Sequence, residues 1–390
     1  MQAIAVIPRQ RTIQIIDHPD ALITEPHDVM LKMLDIGICG TDKEICCFEY
    51  GTPPKGFEHL VIGHESLGEV VAVGSAVSQV KPGDLVVPTV RRPCSHTHCL
   101  ACRAGRPDFC YTGDITERGI KEAHGYMTEY VVDHEDYMNV LPSALRDVGV
   151  LVEPLTIAEK AISQIWQVQS RLPWACPVKP GEKAGSCHSA LVLGAGPVGL
   201  LGAMALQANG FNTYVYSRGP ATDSKALLVT ALGATYLSGE NYKISQLPER
   251  IGNIDVVYEA VGASRLSFEV MEVLGINGIF VFTGVPGRKD KIEVDTDLLM
   301  RNLVLKNQVI FGTVNASKES YQAAIRDLGY FNQTWPQALR QLITGRFPID
   351  EYADLLLGRP SGIKNVISFD HLCEGALGTS ASDTRGVTVA

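Results

Sequence analysis

An uncharged, glycine-rich run at residues 184–217 constrains the fold of this 390-residue chain more than any other feature. It contains no Asp, Glu, Lys or Arg, but it holds six glycines and Pro197. A membrane helix tolerates some glycine, yet the pattern fits better as an apolar strand, SALVLGAG, then a tight turn and a buried helix, PVGLLGAMALQANG. The run therefore predicts one strand–turn–helix unit of a soluble α/β domain.

The turn within this run is a GxGxxG, placed directly after the strand and at the start of the helix. Glycines at this spacing allow a tight turn, close approach of a pyrophosphate to N–H groups at the helix N-terminus, and close packing of helix on strand. The turn therefore predicts a dinucleotide site formed by Gly194, Gly196, Pro197, Val198 and Gly199.

The end of the next strand indicates which dinucleotide is bound. An acidic residue there would hold the ribose 2′-hydroxyl of NAD. Here the strand ends in Ser217 and Arg218, and the first carboxylate comes only at Asp223. Because a guanidinium binds a phosphate dianion well, the sequence favours NADP, with use of NAD also possible.

The rest of the chain divides into two kinds of pattern. Short apolar segments at 213–217, 254–262 and 278–285 alternate with segments of helical length, which predicts a doubly wound parallel sheet. The first 150 residues instead carry short β-rich runs broken by Pro, Gly and His. We place the boundary between the two patterns near residue 165, and we expect the small, polar stretch 375–390 to fray.

Charge and cysteine content limit the partners and the compartment. The net charge of −9 and a pI near 5.6 argue against nucleic acid or an anionic membrane as the main partner. Four of the ten cysteines fall within 17 residues and the others are scattered, which is not a disulfide framework. No secretory signal is apparent, so we expect a cytoplasmic protein whose clustered thiols hold metal.

A second set of residues could hold a catalytic metal. Cys39 lies in GICGTD, His64 and Glu65 lie in GHE, and Glu153 lies in VEP. One thiolate, one imidazole and carboxylates form a donor set that suits zinc with an open coordination position. His59, five residues before His64, lacks the GHE context and is interpreted as a surface or packing histidine.

Together these motifs resemble those of the zinc-dependent medium-chain dehydrogenases over nearly the whole chain. The likeness is closest to the zinc-dependent glucose 1-dehydrogenases, through ICGTDKEI, VRRPC, DFCYTGD, VEPLTIAEKA and VIFGTVNASKESYQAAIRDL. The resemblance implies an α/β chain with a GroES-like β-rich catalytic domain at 1–165 and 312–390. It implies a Rossmann dinucleotide-binding domain, a doubly wound parallel sheet, at 166–311.

The resemblance also implies an activity, the oxidation of D-glucose or a related aldose at C1 to the aldonolactone. It places Cys39, His64 and Glu65 near the catalytic zinc, with Glu153 as a ligand or a hydrogen-bond partner there. Thr41 would take the proton of the substrate hydroxyl. The implied sugar-binding residues are Thr41, Asp114, Glu153 and Asn315, and the further cofactor-binding residues are Thr283, Gly284, Val285, Thr313, Val314 and Asn315.

Two further points accompany the resemblance. In zinc alcohol dehydrogenases a histidine five positions after the ligating cysteine commonly ends the proton relay, whereas this chain has Glu44 there. Family likeness also implies a homo-oligomer, a tetramer or a dimer, with strand edges of the nucleotide domain as the contact.

The four clustered cysteines resemble the structural-zinc lobe of the same superfamily and place it at 90–115. They are Cys94, Cys99, Cys102 and Cys110, and the first gap is two residues wider than usual. Four thiolates can close a tetrahedral zinc site. The wider gap introduces His96 and His98, so a site with three cysteines and one histidine is an alternative, as are a metal-free lobe and a redox pair.

Two other functions remain open at this point. One is a polyol, secondary-alcohol or threonine dehydrogenase of the same architecture. The other is a non-catalytic dinucleotide-binding protein, although Cys39, Thr41, His64 and Glu153 together argue against a scaffold without chemistry.

Overall fold

The computed structural model describes residues 1–174, 176, 179–287 and 291–369, and the backbone of 387–388. The chain forms two compact units. The first comprises 1–153, 315–325 and the described residues from 342 onward, and the second comprises 154–314 and 326–341. The predicted boundary near 165 lies inside a helix that the second unit holds from Pro154. The stretch 375–390, which is predicted to fray, lies almost entirely outside the described residues.

Twenty strands and eleven helices occur in the described residues. The strands are β1 Gln2–Ile7, β2 Thr12–Asp17, β3 Asp28–Gly37, β4 Leu60–Val61, β5 Glu65–Val73, β6 Leu85–Pro88, β7 Arg91–Arg92, β8 Thr116–Arg118, β9 Glu122–Ala123, β10 Tyr130–His134, β11 Met138–Leu141, β12 Ser189–Leu193, β13 Asn212–Ser217, β14 Thr235–Ser238, β15 Val256–Glu259, β16 Ile279–Phe282, β17 Val309–Gly312, β18 Ile343–Phe347, β19 Lys364–Ser368 and β20 Val387–Thr388.

The helices are α1 Gly40–Cys46, α2 Leu100–Arg103, α3 Val152–Gln169, α4 Pro197–Ala208, α5 Ser224–Ala231, α6 Leu247–Ile251, α7 Ser264–Glu272, α8 Thr296–Leu305, α9 Lys318–Thr334, α10 Pro336–Gln341 and α11 Tyr352–Leu356. None of these helices is long and apolar enough to cross a membrane, and this holds for the described residues.

The first unit is rich in β structure, as its sequence pattern predicts. A seven-stranded sheet runs in the order β11-β6-β5-β3-β19-β18, with β10 also paired to β3. A four-stranded sheet, β20-β2-β1-β4, and a three-stranded one, β7-β8-β9, complete the unit. Its core is formed by alternating side chains such as Val29, Leu31 and Met33 of β3, which are fully buried. The pairing of β3 with β5 places Gly37 opposite Glu65.

The second unit contains the predicted doubly wound sheet. Six parallel strands run in the order β14-β13-β12-β15-β16-β17. The central strand β12 has the continuous apolar run expected of a strand covered on both faces, and Ala190 to Leu193 are fully buried. Strands β12 and β15 are neighbours in space but not in sequence, so the strand order reverses beside the end of β12. Ligands of such sheets bind at that point.

One disulfide occurs among the described residues. Cys176 and Cys187 are bonded, with Cα atoms 6.1 Å apart, in the connector that leads to β12. Seven other described cysteines carry free thiols: Cys39, Cys46, Cys47, Cys94, Cys99, Cys102 and Cys110.

Within the second unit, α3 buries a carboxyl group. Glu159 is 7% exposed, and burial raises its pKa to about 8, with a further rise from Asp327. The nearby Arg326 opposes this rise but does not cancel it. The folded state therefore favours the protonated form of Glu159 at neutral pH.

We expect this group to make the free energy of unfolding depend on pH between about pH 4.5 and 8. A folded-state pKa near 8, above the unfolded value, gives stability that is complete below about pH 4.5 and is lost as the pH rises through 8. Glu159→Gln cannot ionise, so its unfolding temperature should fall less between pH 6 and 9 than that of the wild type, by a few degrees. Scanning calorimetry checks this, with Glu269→Gln on an exposed position of α7 as the control. Equal slopes for wild type and Glu159→Gln would contradict it.

Candidate active site

The first unit brings together the three residues that the sequence predicts around a catalytic metal. Cys39 lies two residues after the end of β3 and caps the N-terminus of α1, His64 immediately precedes β5, and Glu65 is the first residue of β5. One donor atom from each of the three residues lies within 4.8 Å of the other two. His64 and Glu65 are buried, while Cys39 is partly exposed. A soft thiolate, an imidazole and a carboxylate at this spacing fit a zinc ion with an open position.

Asp42 organises this donor set, and our sequence analysis missed it. Its side chain is fully buried, and it accepts hydrogen bonds from the Cys39 N–H at 2.9 Å and the Gly63 N–H at 3.2 Å. Its Oδ1 also lies 3.4 Å from Nδ1 of His64. A carboxylate on one imidazole nitrogen leaves Nε2 for a metal and fixes the orientation of the ring. Its position in GICGTD was the only available signal.

The charge of His64 follows from these neighbours. Burial alone would lower its pKa, but Asp42 and Cys39 outweigh burial and raise the pKa well above its ordinary value. Without a metal the ring is therefore protonated. Because only neutral imidazole is a ligand, metal binding at His64 must release a proton.

Glu65 has a buried cationic partner that sequence reasoning also missed. Lys364 of β19 is 2% exposed, and its Nζ donates to Oε2 of Glu65 and to the Ile38 carbonyl at 3.0 Å. Burial opposes the charge of Lys364, but Glu65 and Cys39 raise its pKa. Because Lys364 binds Oε2 of Glu65, Oε1 is the carboxylate oxygen that a metal would bind. Gly37 permits this arrangement, because a Cβ there would come within 2.3 Å of Oε2.

Glu153 lies in the first turn of α3, next to the same charges. Desolvation, together with Glu65 and Asp42, raises its pKa to about 7 against the opposing effect of His64 and Lys364. Its carboxyl group therefore lies close enough to the predicted metal ligands to interact with their charges. Its role as a ligand or as a hydrogen-bond partner stays a prediction.

The residues of the predicted proton relay lie on α1. Thr41 is in the first turn, two residues after Cys39, and is partly exposed. Glu44, which stands where related dehydrogenases carry a histidine, is also partly buried. Burial raises its pKa, and so does the neighbouring Glu49. A carboxyl group with a raised pKa can take up a proton, so Glu44 can act as the outer end of the relay.

Asp114 and Asn315, both predicted to bind sugar, have different environments. The side chain of Asp114 is 62% exposed and lies 2.8 Å from Nε2 of His96. Asn315 instead donates from Nδ2 to Oε1 of Glu117 at 2.7 Å. Glu117 is 5% exposed and also accepts from Nε of Arg91 at 3.0 Å. Glu117, which sequence reasoning missed, is therefore the carboxylate bonded to a predicted sugar-binding residue.

The four clustered cysteines converge, and their sulfur atoms all lie within 4.8 Å of one another. Burial opposes ionisation of Cys110, but hydrogen bonds from Thr112 and from backbone N–H groups lower its pKa to about 6. The predicted alternative ligand His96 is paired with Asp114, and neither His96 nor His98 belongs to this group within the described residues. The donor set therefore fits a tetrahedral Zn²⁺ bound by four thiolates.

The glycine-rich turn has the geometry that its sequence predicts. Gly194 has a φ of +98°, which favours glycine, and Gly196 caps the N-terminus of α4. A Cβ on Gly196 would meet nothing within 4 Å, whereas one on Gly199 would lie 2.2 Å from the Gly194 carbonyl oxygen. Gly196 thus leaves open space at the helix N-terminus, where a pyrophosphate is bound, and Gly199 allows the helix to pack on the turn.

The other predicted cofactor residues follow the ends of neighbouring strands. Ser217 ends β13, and Arg218 after it is exposed. Thr283, Gly284 and Val285 follow β16, and Thr313 and Val314 follow β17.

Glu259 at the end of β15, which sequence reasoning missed, ties these loops together. It accepts hydrogen bonds from the N–H groups of Val261 at 2.8 Å, Gly262 at 2.7 Å and Gly284 at 3.2 Å. The loops at the carboxyl edge of the sheet are therefore fixed before any cofactor binds.

Comparison with known proteins agrees with this architecture. Residues 25–143 match the family model "Alcohol dehydrogenase GroES-like domain", and residues 146–369 match "Glucose dehydrogenase C-terminus". A glucose 1-dehydrogenase of Methanocella arvoryzae is 35% identical over 94% of this chain and 99% of its own length. A glucose 1-dehydrogenase of Vulcanisaeta moutnovskia is 36% identical over 94% and 99%. This chain belongs to the glucose 1-dehydrogenase family.

A solved structure of the family supports the same fold. The Haloferax mediterranei glucose dehydrogenase in complex with NADP, Zn and gluconolactone superposes with a TM-score of 0.83 at 31% identity. The match covers 95% of this chain and 100% of that one. The resemblance and the fold class predicted from sequence are confirmed, whereas the domain limits and the individual site residues stay predictions.

The two glycines of the turn should fail in different ways when they are replaced. Gly196→Ala places a methyl group in open space, so the fold should keep its stability while affinity for NADP falls at least tenfold through loss of pyrophosphate approach. Gly199→Ala meets a backbone oxygen, so it should lower the unfolding temperature. Calorimetry and fluorescence titration with NADPH separate the two effects. Unchanged cofactor affinity in Gly196→Ala would contradict the assignment.

Proposed function

We propose that this chain is a zinc-dependent NAD(P)⁺ oxidoreductase that oxidises D-glucose, or a closely related aldose, at C1 to the aldonolactone. The observation that carries the proposal is the convergence of Cys39, His64 and Glu65 in a chain whose relatives, at about a third identity over almost their full length, are named glucose 1-dehydrogenases. The related Haloferax structure contains NADP, zinc and the lactone product.

The chemistry assigns separate tasks to the residues of the first unit. A zinc ion held by Cys39 and His64, with a carboxylate from Glu65 or Glu153, would supply the Lewis acidity that makes a sugar hydroxyl ionisable at neutral pH. Asp42 orients the imidazole of His64 toward that position. Thr41 takes the hydroxyl proton and passes it outward, with Glu44 as the acceptor nearer to solvent. Bound NAD(P)⁺ would supply the acceptor for the hydride that leaves C1.

A sugar substrate would also account for a hydrogen-bonded polar pair in the same unit. Glu117 and Asn315 form a hydrogen-bonded pair, and Arg91 holds the carboxylate from its other side. A site that pairs buried polar groups with substrate hydroxyls discriminates strongly against molecules that lack them. We therefore propose Glu117 as a sugar-binding residue beside Asn315, and Asp114 remains a candidate through its bond to His96.

The proposal also includes the oligomeric state and the cellular location. The edge strand β17 and the exposed apolar residues Met300, Val304 and Leu305 on α8 support a homo-oligomeric contact through the nucleotide-binding unit. Seven of the described cysteines are free and four of them converge in one lobe, which outweighs the single Cys176–Cys187 disulfide and supports a reducing, cytoplasmic location.

Substrate choice and metal dependence test the function. The purified enzyme should reduce NADP with D-glucose, and Cys39→Ser should lose at least about 100-fold in kcat/KM, because the metal would lose its thiolate ligand. Cys47→Ser is the matched control, since Cys47 is exposed at the end of the same helix, and it should stay within twofold. Reduction of NADP with sorbitol or threonine but not glucose would favour a polyol, secondary-alcohol or threonine dehydrogenase. Full activity of Cys39→Ser would refute the site, and no turnover with any of these substrates would favour a non-catalytic protein.

Arg218 should determine the preference for NADP. Arg218→Ala removes a guanidinium from the end of β13, so KM for NADP should rise by about 10- to 100-fold while KM for NAD changes little. Steady-state kinetics with both cofactors at saturating glucose give the ratio. Arg301→Ala, which removes an exposed arginine from α8, should leave both values unchanged. A parallel rise for NAD and NADP in Arg218→Ala would mean that this residue does not read the 2′-phosphate.

A further inference from the structure

Three histidines that play no part in the proposed reaction converge in the first unit. His18 follows β2, His59 precedes β4 and His124 follows β9. One ring nitrogen from each lies within 4.8 Å of the other two. The rings of His59 and His124 are stacked with centroids 5.0 Å apart, and His18 stands at a steep angle to both, at 5.4 and 4.8 Å. His59, interpreted from the sequence as a surface or packing histidine, therefore packs against two other histidines.

The closest pair already has the spacing of two metal ligands. Nε2 of His59 lies 3.3 Å from Nδ1 of His18. Two imidazole nitrogens on one tetrahedral zinc ion, each at ~2.0–2.1 Å, stand about 3.3–3.4 Å apart. The two rings can share one proton at this distance, and a modest rotation of each ring would turn both lone pairs toward a metal ion that replaces that proton.

The third histidine presents a nitrogen without a partner. Nε2 of His124 is buried and makes no hydrogen bond within the described part of the chain. Buried polar atoms normally have a hydrogen-bond partner or bind an ion. A metal ion bound beside the two other imidazoles would account for this nitrogen.

All three rings are held in the neutral charge state that a metal ligand needs. Burial lowers the pKa of His18 and of His59. Burial also lowers the pKa of His124 to about 3, and the neighbouring His18, His59 and Arg118 contribute. The three rings are therefore neutral at physiological pH.

We propose that His18, His59 and His124 form a third metal site, separate from the Cys39 group and from the four-cysteine lobe, that binds one late transition-metal ion such as Zn²⁺, Ni²⁺ or Cu²⁺. The donor set selects this class, because imidazole suits these ions, whereas Mg²⁺ and Ca²⁺ require oxygen ligands. Within the described residues, no thiol or carboxylate joins this group.

The environment of His124 sets a limit on affinity. The Val61 N–H donates to Nδ1 of His124 at 3.2 Å, which assigns the ring proton to Nε2. A metal at Nε2 requires that proton to move to Nδ1, so binding gives up the bond to Val61. His18 and His59 therefore form the primary pair, and His124 completes the site at the cost of one long hydrogen bond.

The position of the site indicates what the metal does. His18 lies beside the amino terminus, where the Met1 ammonium donates to the His18 carbonyl at 3.0 Å and the His18 N–H donates back to the Met1 carbonyl at 2.8 Å. His59 and His124 belong to segments far along the chain. An ion bound to all three would cross-link these segments and stabilise the β-rich unit, since metal binding to the folded chain alone adds to folding stability.

Nickel titration of the zinc-loaded enzyme tests the proposal. The protein is first loaded with zinc and dialysed against a weak chelator until two zinc ions per chain remain, because zinc would otherwise fill the histidine site. We then expect the wild type to bind one Ni²⁺ per chain while its zinc content stays constant, measured by equilibrium dialysis with elemental analysis. The absorption spectrum should lack thiolate charge-transfer bands, which excludes nickel in place of zinc at Cys39 or in the cysteine lobe. The unfolding temperature should rise with Ni²⁺ concentration.

Variants identify the ligands. His18→Gln and His59→Gln, tested separately so that a folding defect in one does not decide the result, should each weaken Ni²⁺ binding at least tenfold. His134→Gln is the matched control, because His134 is partly exposed and its ring lies 5.3 Å from that of His27, with no third imidazole in a ligand group within the described residues. The proposal is overturned if the wild type binds no additional ion at millimolar Ni²⁺, or if both variants bind nickel as the wild type does.

Discussion

The buried carboxylate of Asp42 is the interaction on which the rest of the site depends. It holds the Cys39 N–H, the Gly63 N–H and the ring of His64 at one point, although these groups come from segments separated along the chain. Burial of a carboxylate is costly unless hydrogen bonds and opposite charge satisfy it, and here two backbone N–H groups and an imidazole do so. The donor atoms of the metal ligands are thereby in place in the folded chain.

The charges around Asp42 explain why a divalent ion suits this position. Asp42, Glu65 and Glu153 carry three carboxyl groups, and His64 and Lys364 are their principal cationic partners. Without a metal, His64 takes up a proton and the pKa of Glu153 rises to about 7. A cation at the centre would replace this proton-based neutralisation and allow the carboxyl groups to ionise. Lys364 holds the Glu65 carboxyl group in place in either state.

Local sequence patterns predicted the parts of the fold that depend on local geometry. Gly194, Gly196 and Gly199 have the backbone roles that their spacing indicates, and the apolar segments form the strands of the parallel sheet. Pairings between distant segments were not predictable in this way. Glu65 and Lys364 are 299 residues apart, and Glu117 and Asn315 are 198 apart, so no spacing rule relates them. For the same reason the sequence did not predict the contact of His59 with His18 and His124. That contact arises only from the packing of β-rich segments.

The central claim is that one metal ion binds to Cys39 and His64 under the control of Asp42. An anomalous difference map at the zinc absorption edge, from crystals of zinc-loaded protein, tests it directly. The account predicts a peak bonded to Sγ of Cys39 and Nε2 of His64, with an oxygen of Glu65 or Glu153 nearby. A map with zinc on the four clustered cysteines but no density beside Cys39 and His64 would contradict it.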